Sequence, residues 1–288
     1  MSNYTIFTDS ACDIRPEVLA EWGVPFCSLT FHFEGSPKEY SNYELSSGVF
    51  YGRMRAKGVV RTAAVNMEVF RRAFEPLLQQ GQDILYLGFS SGLSGTCQAG
   101  AMAAAELREQ YPQRKILTVD TLAASGGEGL LLWLTLEEQR RGATLEQAAA
   151  FAEGMKLKIC HWFTVDDLEY LKRGGRVSPT VALVGGLLGI RPVMHMDDEG
   201  HLIKMFTVRG RRASLQALVD KYGELAHEPG KTPIFISHGD CMEEAQLLAR
   251  LLKEAHGVEV ARIVDVGPVI GAHSGPGTLS LFFVGEHR

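Results

Sequence analysis

A hydroxyl-rich glycine turn at residues 90–96 (Ser-Ser-Gly-Leu-Ser-Gly-Thr) is the segment best suited to chemistry. It follows an apolar run at residues 84–89 and precedes an alanine-rich stretch at residues 97–107, an order that indicates strand, turn and helix. Glycines let the backbone turn sharply, and the first turn of a helix presents free N–H groups and partial positive charge. Ser94 and Thr96 add hydroxyl donors, so the turn is suited to an anionic, oxygen-rich group.

A second glycine turn, at residues 271–277, carries His273. Glycine and proline fix the shape of such a loop. A histidine held there beside an acid-binding cleft can donate to a carboxylate, and a purely structural hydrogen bond is an equally open interpretation.

Residues 88–92 also match G-x-S-x-G, the nucleophile elbow of serine hydrolases. A serine esterase that uses Ser90 with His238 or His273 is therefore an alternative function. No HGGG-like oxyanion segment precedes the motif, and the turn already requires its glycines, so the pattern favours binding over catalysis.

The composition excludes several classes of partner. The 288 residues are 45% hydrophobic and 22% charged, with a net charge of −5, which argues against binding to nucleic acid or to an anionic membrane surface. One basic cluster stands out, with Lys204, Arg209, Arg211 and Arg212. It is interpreted as a solvated face or as a docking patch for a partner protein.

Targeting and cofactor signals are missing from the sequence. The longest apolar stretch, residues 181–190, contains three glycines and is shorter than the roughly 20 residues of a membrane helix. Five widely spaced cysteines without a CxxC pair predict free thiols in a reducing cytoplasm. There is no P-loop lysine, no G-x-G-x-x-G after a strand and no HExxH, so we expect neither metal nor cofactor. Asp13 is predicted to cap the helix at Pro16.

Strand and helix patterns alternate as far as about Gly142, which predicts an N-terminal α/β domain with a layered parallel sheet. Ligands of such sheets bind at the carboxyl ends of the strands, where residues 8–10, residues 90–96 and Asp120 fall. Residues 26–33 are predicted to form one strand, residues 61–66 a loop and residues 145–159 a helix.

From His161 onward, hairpins mix with helices, which predicts a C-terminal α+β domain with a mixed sheet. The chain as a whole is therefore predicted to be an α/β protein of two domains, residues 1–155 and 156–288.

Seven short motifs occur in order along nearly the whole chain. They are residues 8–14, 90–96, 119–121 with 125–129, 168–178, 190–192, 208–211 and 273–277. Together they resemble the DegV family of bacterial lipid-binding proteins. The resemblance implies a non-catalytic protein with a long-chain fatty acid, such as palmitate, stearate or oleate, in a tunnel between two domains.

The resemblance also implies a site for the carboxylate. Its hydroxyl donors are Thr62 and Ser94, with Gly95 of the same turn, and His273 lies near the head group. An arginine from the Gly-Gly-Arg region, Arg173 or Arg176, completes the set. The family's Thr-Ser-x-Pro motif reads Thr-Ala-Ala-Val at residues 62–65, which keeps the hydroxyl and loses the proline.

Similar proteins present bound fatty acid to a separate fatty acid kinase, for which Arg209, Arg211 and Arg212 are the predicted docking residues. An interaction protein with the same basic surface and a purely structural lipid is a further alternative. The predicted tunnel wall is apolar, with Phe26, Leu29, Phe31, Phe163, Leu187, Leu188, Ile190, Met194, Leu281 and Phe282.

Overall fold

The computed structural model describes residues 4–177 and 189–288 of the chain. The strands are β1 (Tyr4–Asp9), β2 (Phe26–Cys27), β3 (Thr30–Phe33), β4 (Glu39–Ser41), β5 (Val60–Ala63), β6 (Asp83–Gly88), β7 (Ile116–Asp120), β8 (Ile159–Thr164), β9 (Ile190–Met196), β10 (Leu202–Arg209), β11 (Phe235–His238), β12 (Arg262–Asp265) and β13 (Leu279–Val284). The α-helices are α1 (Pro16–Trp22), α2 (Ser47–Arg55), α3 (Met67–Gln79), α4 (Thr96–Gln110), α5 (Gly126–Arg140), α6 (Leu145–Met155), α7 (Glu169–Arg173), α8 (Arg211–Leu225), α9 (Met242–His256) and α10 (Pro268–Ser274).

A four-stranded parallel sheet organises the first half, in the order β2-β1-β6-β7. Its strands are mostly apolar and mostly buried because helices cover both faces. The carboxyl ends of β1, β6 and β7 place Asp9, Gly88 and Asp120 along one edge, from which the turn at residues 90–96 departs. The predicted parallel α/β arrangement is confirmed.

A six-stranded mixed sheet organises the second half, in the order β10-β9-β8-β13-β11-β12. Only β11 and β12 pair in parallel within it. The predicted hairpin of β9 and β10 is present, and the predicted mixed sheet is confirmed. Helices α8 and α9 cover one face of this sheet, and α5 contacts the other.

A small antiparallel sheet, β4-β3-β5, corrects two predictions. The predicted single strand at residues 26–33 divides into β2, which joins the parallel sheet, and β3, which joins the small one. The predicted loop at residues 61–66 begins with β5, whose Thr62 pairs with Phe31. Local patterning missed this strand because its partner lies thirty residues earlier in the chain.

Three further boundaries differ from the sequence predictions. Part of the expected glycine turn at residues 271–277 belongs to α10, which begins with Pro268 and ends before Gly275. Helix α6 ends at Met155, and Ile159 already belongs to β8. Asp13 does not cap α1: its backbone is left-handed and closes a short 3-10 turn, while Arg15 precedes the helix.

Helix α5 lies between the parallel sheet and the mixed sheet and joins their apolar cores. Leu130 and Leu131 pack with Ile6 of β1 and also belong to the cluster that contains Phe235 and Phe282 of the mixed sheet. The space between the sheets beside α5 is where the principal cavity lies. Among the described residues, no helix combines the length and apolarity needed to cross a membrane.

Candidate functional site

A deep cavity lies where the two halves of the chain meet. Its volume is about 160 Å³. Thr62 and Ser94 line it from the first half, and Arg176 and His273 line it from the second. The remaining lining is mainly aliphatic and aromatic, so the cavity is suited to a largely apolar ligand with a polar end.

Thr62 and His273 form the centre of the polar part. Strand β5 holds Thr62 at the edge of the small sheet, and α10, which packs against β5, carries His273 near its end. The hydroxyl oxygen of Thr62 lies 2.9 Å from Nε2 of His273. A threonine hydroxyl and an imidazole N–H are both able to donate to a carboxylate oxygen.

The imidazole of His273 is held neutral by its surroundings. Burial, with the nearby cations Arg176 and Arg173, lowers its pKa to about 4. Its Nδ1 atom has no hydrogen-bond partner among the described residues. The backbone of Gly174 lies so close that a Cβ there would be 2.1 Å from Nδ1. The ring is therefore fixed by packing on one side and by Thr62 on the other.

The turn that carries Ser94 leads into the first turn of α4, as its sequence predicts. Oγ of Ser94 and Oγ1 of Thr96 lie 2.9 Å apart and share a hydrogen bond. The backbone N–H of Thr96 donates to Oγ of Ser94 at 3.3 Å. Gly95 is the residue before α4, and both Ser94 and Gly95 line the cavity. A hydroxyl donor thus lies beside the positive end of a 15-residue helix.

Of the two candidate arginines, Arg176 is the one at the cavity. Its Nε donates to the carbonyl of Leu93 at 3.1 Å, which ties it to the turn before α4. Partial burial lowers its pKa without removing its charge at neutral pH. Arg173 is exposed, is not among the described lining residues, and places its guanidinium 5.0 Å from the ring centre of Tyr170.

Ser90 does not form the hydrogen bond that a serine nucleophile needs. Its buried hydroxyl donates to the carbonyl of Gly200 at 2.9 Å and accepts from the N–H of Gly92 at 3.2 Å. Nδ1 of His238 accepts from the backbone of Cys241 instead. No hydrogen bond between described residues joins Ser90 to a histidine, so the geometry gives the esterase alternative no support.

Three carboxyl groups are buried: that of Asp9 at the end of β1, that of Asp13 a few residues later in the chain, and that of Glu128 on α5. Asp9 accepts from the hydroxyl of Tyr86 at 2.8 Å, and Asp13 accepts from the hydroxyl of Ser125 at 2.6 Å. Burial raises the pKa of Asp9 to about 6 and that of Asp13 to about 7, and it also raises the pKa of Glu128 well above its ordinary value. Among the described residues, no cluster of this kind has the geometry of a metal site.

The basic cluster is divided between surface and interior. Arg209 and Arg212 are exposed. Arg211 points inward, where its guanidinium donates to Glu244 at 2.8 Å and to the carbonyl of Gly277 at 2.7 Å. The loop that follows His273 is therefore connected to this cluster through Arg211.

The predicted tunnel wall is found only in part. Leu29, Phe163 and Phe282 line the cavity, whereas Leu187 and Leu188 lie outside the described residues. Absent from the described lining are Phe26, Phe31, Ile190, Met194 and Leu281.

Several lining residues were not anticipated from the sequence, among them His161, Ser274, Thr278 and Ser280. The alternation of Ser280 and Phe282 along β13 was the available signal, because alternate residues of a strand share a face.

A family model described as "Uncharacterised protein, DegV family" matches residues 3–286 of the chain. The chain belongs to the DegV family. A DegV domain-containing protein of Clostridium perfringens is 38% identical over 291 residues, covering 100% of this chain and 99% of the relative.

Two solved DegV-like structures share the fold over their whole length. A protein from Thermotoga maritima, described as revealing a fatty acid binding function, is 28% identical with a TM-score of 0.84, covering 99% of this chain and 100% of its own. A DegV family protein from Thermus thermophilus, described by its fatty acid binding, is 27% identical with a TM-score of 0.87, covering 98% and 99%.

Proposed function

We propose that this protein binds a long-chain fatty acid, with the acyl chain in the cavity and the carboxylate between Thr62, Ser94 and His273. The ligand would lie between two domains, residues 1–155 and 156–288. One observation carries the proposal: the hydroxyl of Thr62 and Nε2 of His273 lie 2.9 Å apart, and both residues line, together with Ser94, a cavity that is otherwise mainly apolar. The fatty acid binding described for the two solved relatives supports it.

The energetics of such a ligand agree with this arrangement. Burial of each methylene contributes about 0.8 kcal/mol, so a tail of ~15 methylenes contributes on the order of 12 kcal/mol before ordering and association are subtracted. The tail supplies most of the affinity. A buried carboxylate without partners is very unfavourable, so the hydroxyl donors are required to make the head group's burial tolerable.

Arg176 adds a charge near the proposed carboxylate. Its guanidinium is anchored to the Leu93 carbonyl and stands at the cavity lining, so it favours the ionised form of a bound acid. Arg173 is exposed and contributes at longer range, through the field that it exerts on His273.

The direct test is a mass spectrum of the organic extract of freshly purified protein. We expect a stoichiometric fatty acid of the palmitate, stearate or oleate class. Delipidated protein should then take up the same acid when it is supplied. A protein that carries no lipid and takes up neither oleate nor palmitate contradicts the proposal.

We further propose that the bound acid is presented to a separate fatty acid kinase, so that the protein itself has no catalytic turnover. The exposed Arg209 and Arg212 offer a cationic surface beside Arg211, which contacts the loop after His273.

All five cysteines are free thiols, which supports a reducing cytoplasmic location.

If Arg209 and Arg212 dock the kinase, replacing them should slow phosphorylation of the bound acid without changing how much fatty acid the protein binds. The double variant Arg209→Ala/Arg212→Ala should slow formation of acyl phosphate by the cognate fatty acid kinase and ATP. Its complement of bound fatty acid should remain that of the wild type. The matched control is Arg72→Ala, an exposed arginine on α3. Equal phosphorylation rates for all three proteins contradict docking at this surface.

A further inference from the structure

The helix that carries His273 has no capping side chain of its own. Helix α10 has seven residues and begins after Gly267, which offers no side chain to its first turn. The first N–H groups of a helix lack partners within the helix and must find them elsewhere. The backbone N–H of Val269, near the start of α10, donates to Oδ1 of Asn42 at 2.8 Å. Asn42 is fully buried and lies 227 positions earlier in the chain, so a distant residue caps this helix.

Asn42 is itself held in one orientation. Its Nδ2 donates to the carbonyl of Ser10 at 2.9 Å, and its backbone N–H donates to the carbonyl of Leu29 at 3.2 Å. Ser10 directly follows β1, and its Oγ accepts from the N–H of Leu29 at 2.9 Å. Because an N–H only donates and a carbonyl only accepts, the two partners of the amide allow a single orientation. Asn42 therefore connects the end of the parallel sheet to the start of α10.

The small antiparallel sheet contacts α10 near both of its ends. Asn42 directly follows β4, and Thr62 lies on β5 of the same sheet. Asn42 bonds the second residue of α10, whereas Thr62 meets His273 in the last turn. Val269 and His273 are four positions apart, about one helical turn. The contact of Asn42 with Val269 therefore limits how far His273 can move relative to Thr62.

The packing at Gly267 shows how closely the start of α10 fits against Asn42. A Cβ at Gly267 would lie 2.6 Å from Nδ2 of Asn42 and 2.6 Å from Oδ1 of Asp13, so there is no room for a methyl group. Tyr51 holds the residue before this glycine, since its hydroxyl donates to the carbonyl of Val266 at 2.8 Å. That bond does not involve Asn42. We therefore expect α10 to shift rather than unfold when Asn42 is replaced.

We propose that Asn42 is a positioning residue of the head-group site, which caps α10 from outside the helix and thereby holds His273 within reach of Thr62. This inference rests on the proposed fatty acid function and adds a residue to its machinery. Asn42 is absent from the described lining of the cavity, so it acts on the ligand through the helix. Its removal leaves the buried N–H of Val269 without a partner, which is unfavourable unless the helix moves.

The test is a double-mutant cycle between Asn42→Ala and His273→Gln, with palmitate binding to delipidated protein as the readout. We expect Asn42→Ala alone to raise the dissociation constant about tenfold. In the His273→Gln background the same change should raise it less than about twofold, because the residue through which Asn42 acts is already lost. An equal factor in both backgrounds overturns this inference alone, whereas a wild type that binds no palmitate overturns the proposed function.

Two further variants separate positioning from general stability. The hydroxyl of Tyr43 donates to the same Ser10 carbonyl at 3.2 Å and to the carbonyl of Ile14 at 2.9 Å, so Tyr43→Phe removes neighbouring bonds that do not reach α10. It should change the palmitate affinity less than about twofold, and a loss equal to that of Asn42→Ala overturns the proposal.

Gly267→Ala approaches the same contact from the helix, because its Cβ displaces the amide of Asn42. It should weaken palmitate binding as Asn42→Ala does, and it takes the place of that variant in the cycle if Asn42→Ala fails to fold. Wild-type affinity in Gly267→Ala contradicts the assignment.

Discussion

The hydroxyl oxygen of Thr62 lies 2.9 Å from Nε2 of His273, although 211 positions of the chain separate the two residues. The small antiparallel sheet places Thr62, and a short helix that begins at Pro268 places His273. A carboxylate bound between them contacts both halves of the chain. The proposed head-group site therefore exists only when the two halves are correctly packed together.

Replacing Ser94 by alanine should weaken fatty acid binding without unfolding the protein. A hydrogen bond to a charged group contributes about 1.5–3 kcal/mol, so we expect the dissociation constant to rise roughly tenfold to a hundredfold. Titration calorimetry with delipidated protein measures this change. Ser91→Ala, an exposed serine of the same turn, is the control and should bind as the wild type does. Equal affinity of the two variants would remove Ser94 from the site.

Replacing Gly174 by alanine should displace His273. The added Cβ would lie 2.1 Å from Nδ1 of the imidazole, so the ring has to move and its contact with Thr62 is lost. We expect weaker fatty acid binding and a raised His273 pKa, both measurable by titration with NMR detection. The control is Gly154→Ala in α6, where a new Cβ meets nothing within 4 Å. An unshifted His273 resonance in Gly174→Ala would contradict the packing described here.

The low pKa of His273 predicts a loss of stability in acid. The folded protein holds the pKa at about 4, below the ordinary 6.5, so the unfolded chain binds the additional proton between these values. The contribution of His273 to the free energy of unfolding is fully present above about pH 6.5. It falls by on the order of 3 kcal/mol as the pH decreases to about 4. Denaturant unfolding of ligand-free wild type and of His273→Gln should show this difference. Parallel pH profiles for the two proteins would contradict it.

Asp13 predicts a pH dependence of opposite sign. Burial raises its pKa to about 7, so the folded protein retains a proton that the unfolded chain releases above about pH 4. Wild type should therefore lose stability relative to Asp13→Asn as the pH rises from about 4 to about 7. Thermal unfolding at several pH values measures this difference. Asp220→Asn, an exposed change on α8, should track the wild type throughout, and an Asp13→Asn profile that does the same refutes the prediction.

Much of the framework could be predicted from the sequence because its signals are local. Helix α1 begins at Pro16 as predicted, and the turn at residues 90–96 lies between strand and helix as expected. Ser94 could be singled out because strand, glycine turn and helix follow one another directly along the chain.

Thr62 shows why other parts could not be predicted. Its strand is defined by pairing with Phe31, and no local alternation marks residues 60–63. Thr62 was therefore named only through the family resemblance. Ser280 and His161 also line the cavity, and the sequence could not show this because it depends on the register between two strands that are far apart in the chain.

His273 shows a signal that was present but misinterpreted. Proline at the start and glycine just after the end are typical of a short helix, as in α10. The density of glycine and proline at residues 271–277 suggested a loop instead. The histidine's neighbours, Thr62 and Gly174, belong to elements that only the folded chain brings to it.

The folded protein holds protons on three buried carboxyl groups, those of Asp9, Asp13 and Glu128. With pKa values raised by burial, they keep hydrogens at pH values where the same side chains in an unfolded chain are ionised. Unfolding in mildly acidic solution therefore releases protons from these three groups, while His273 takes one up. The heat recorded by a calorimeter will consequently include the ionisation enthalpy of the buffer, and it will differ between acetate and imidazole solutions of the same pH.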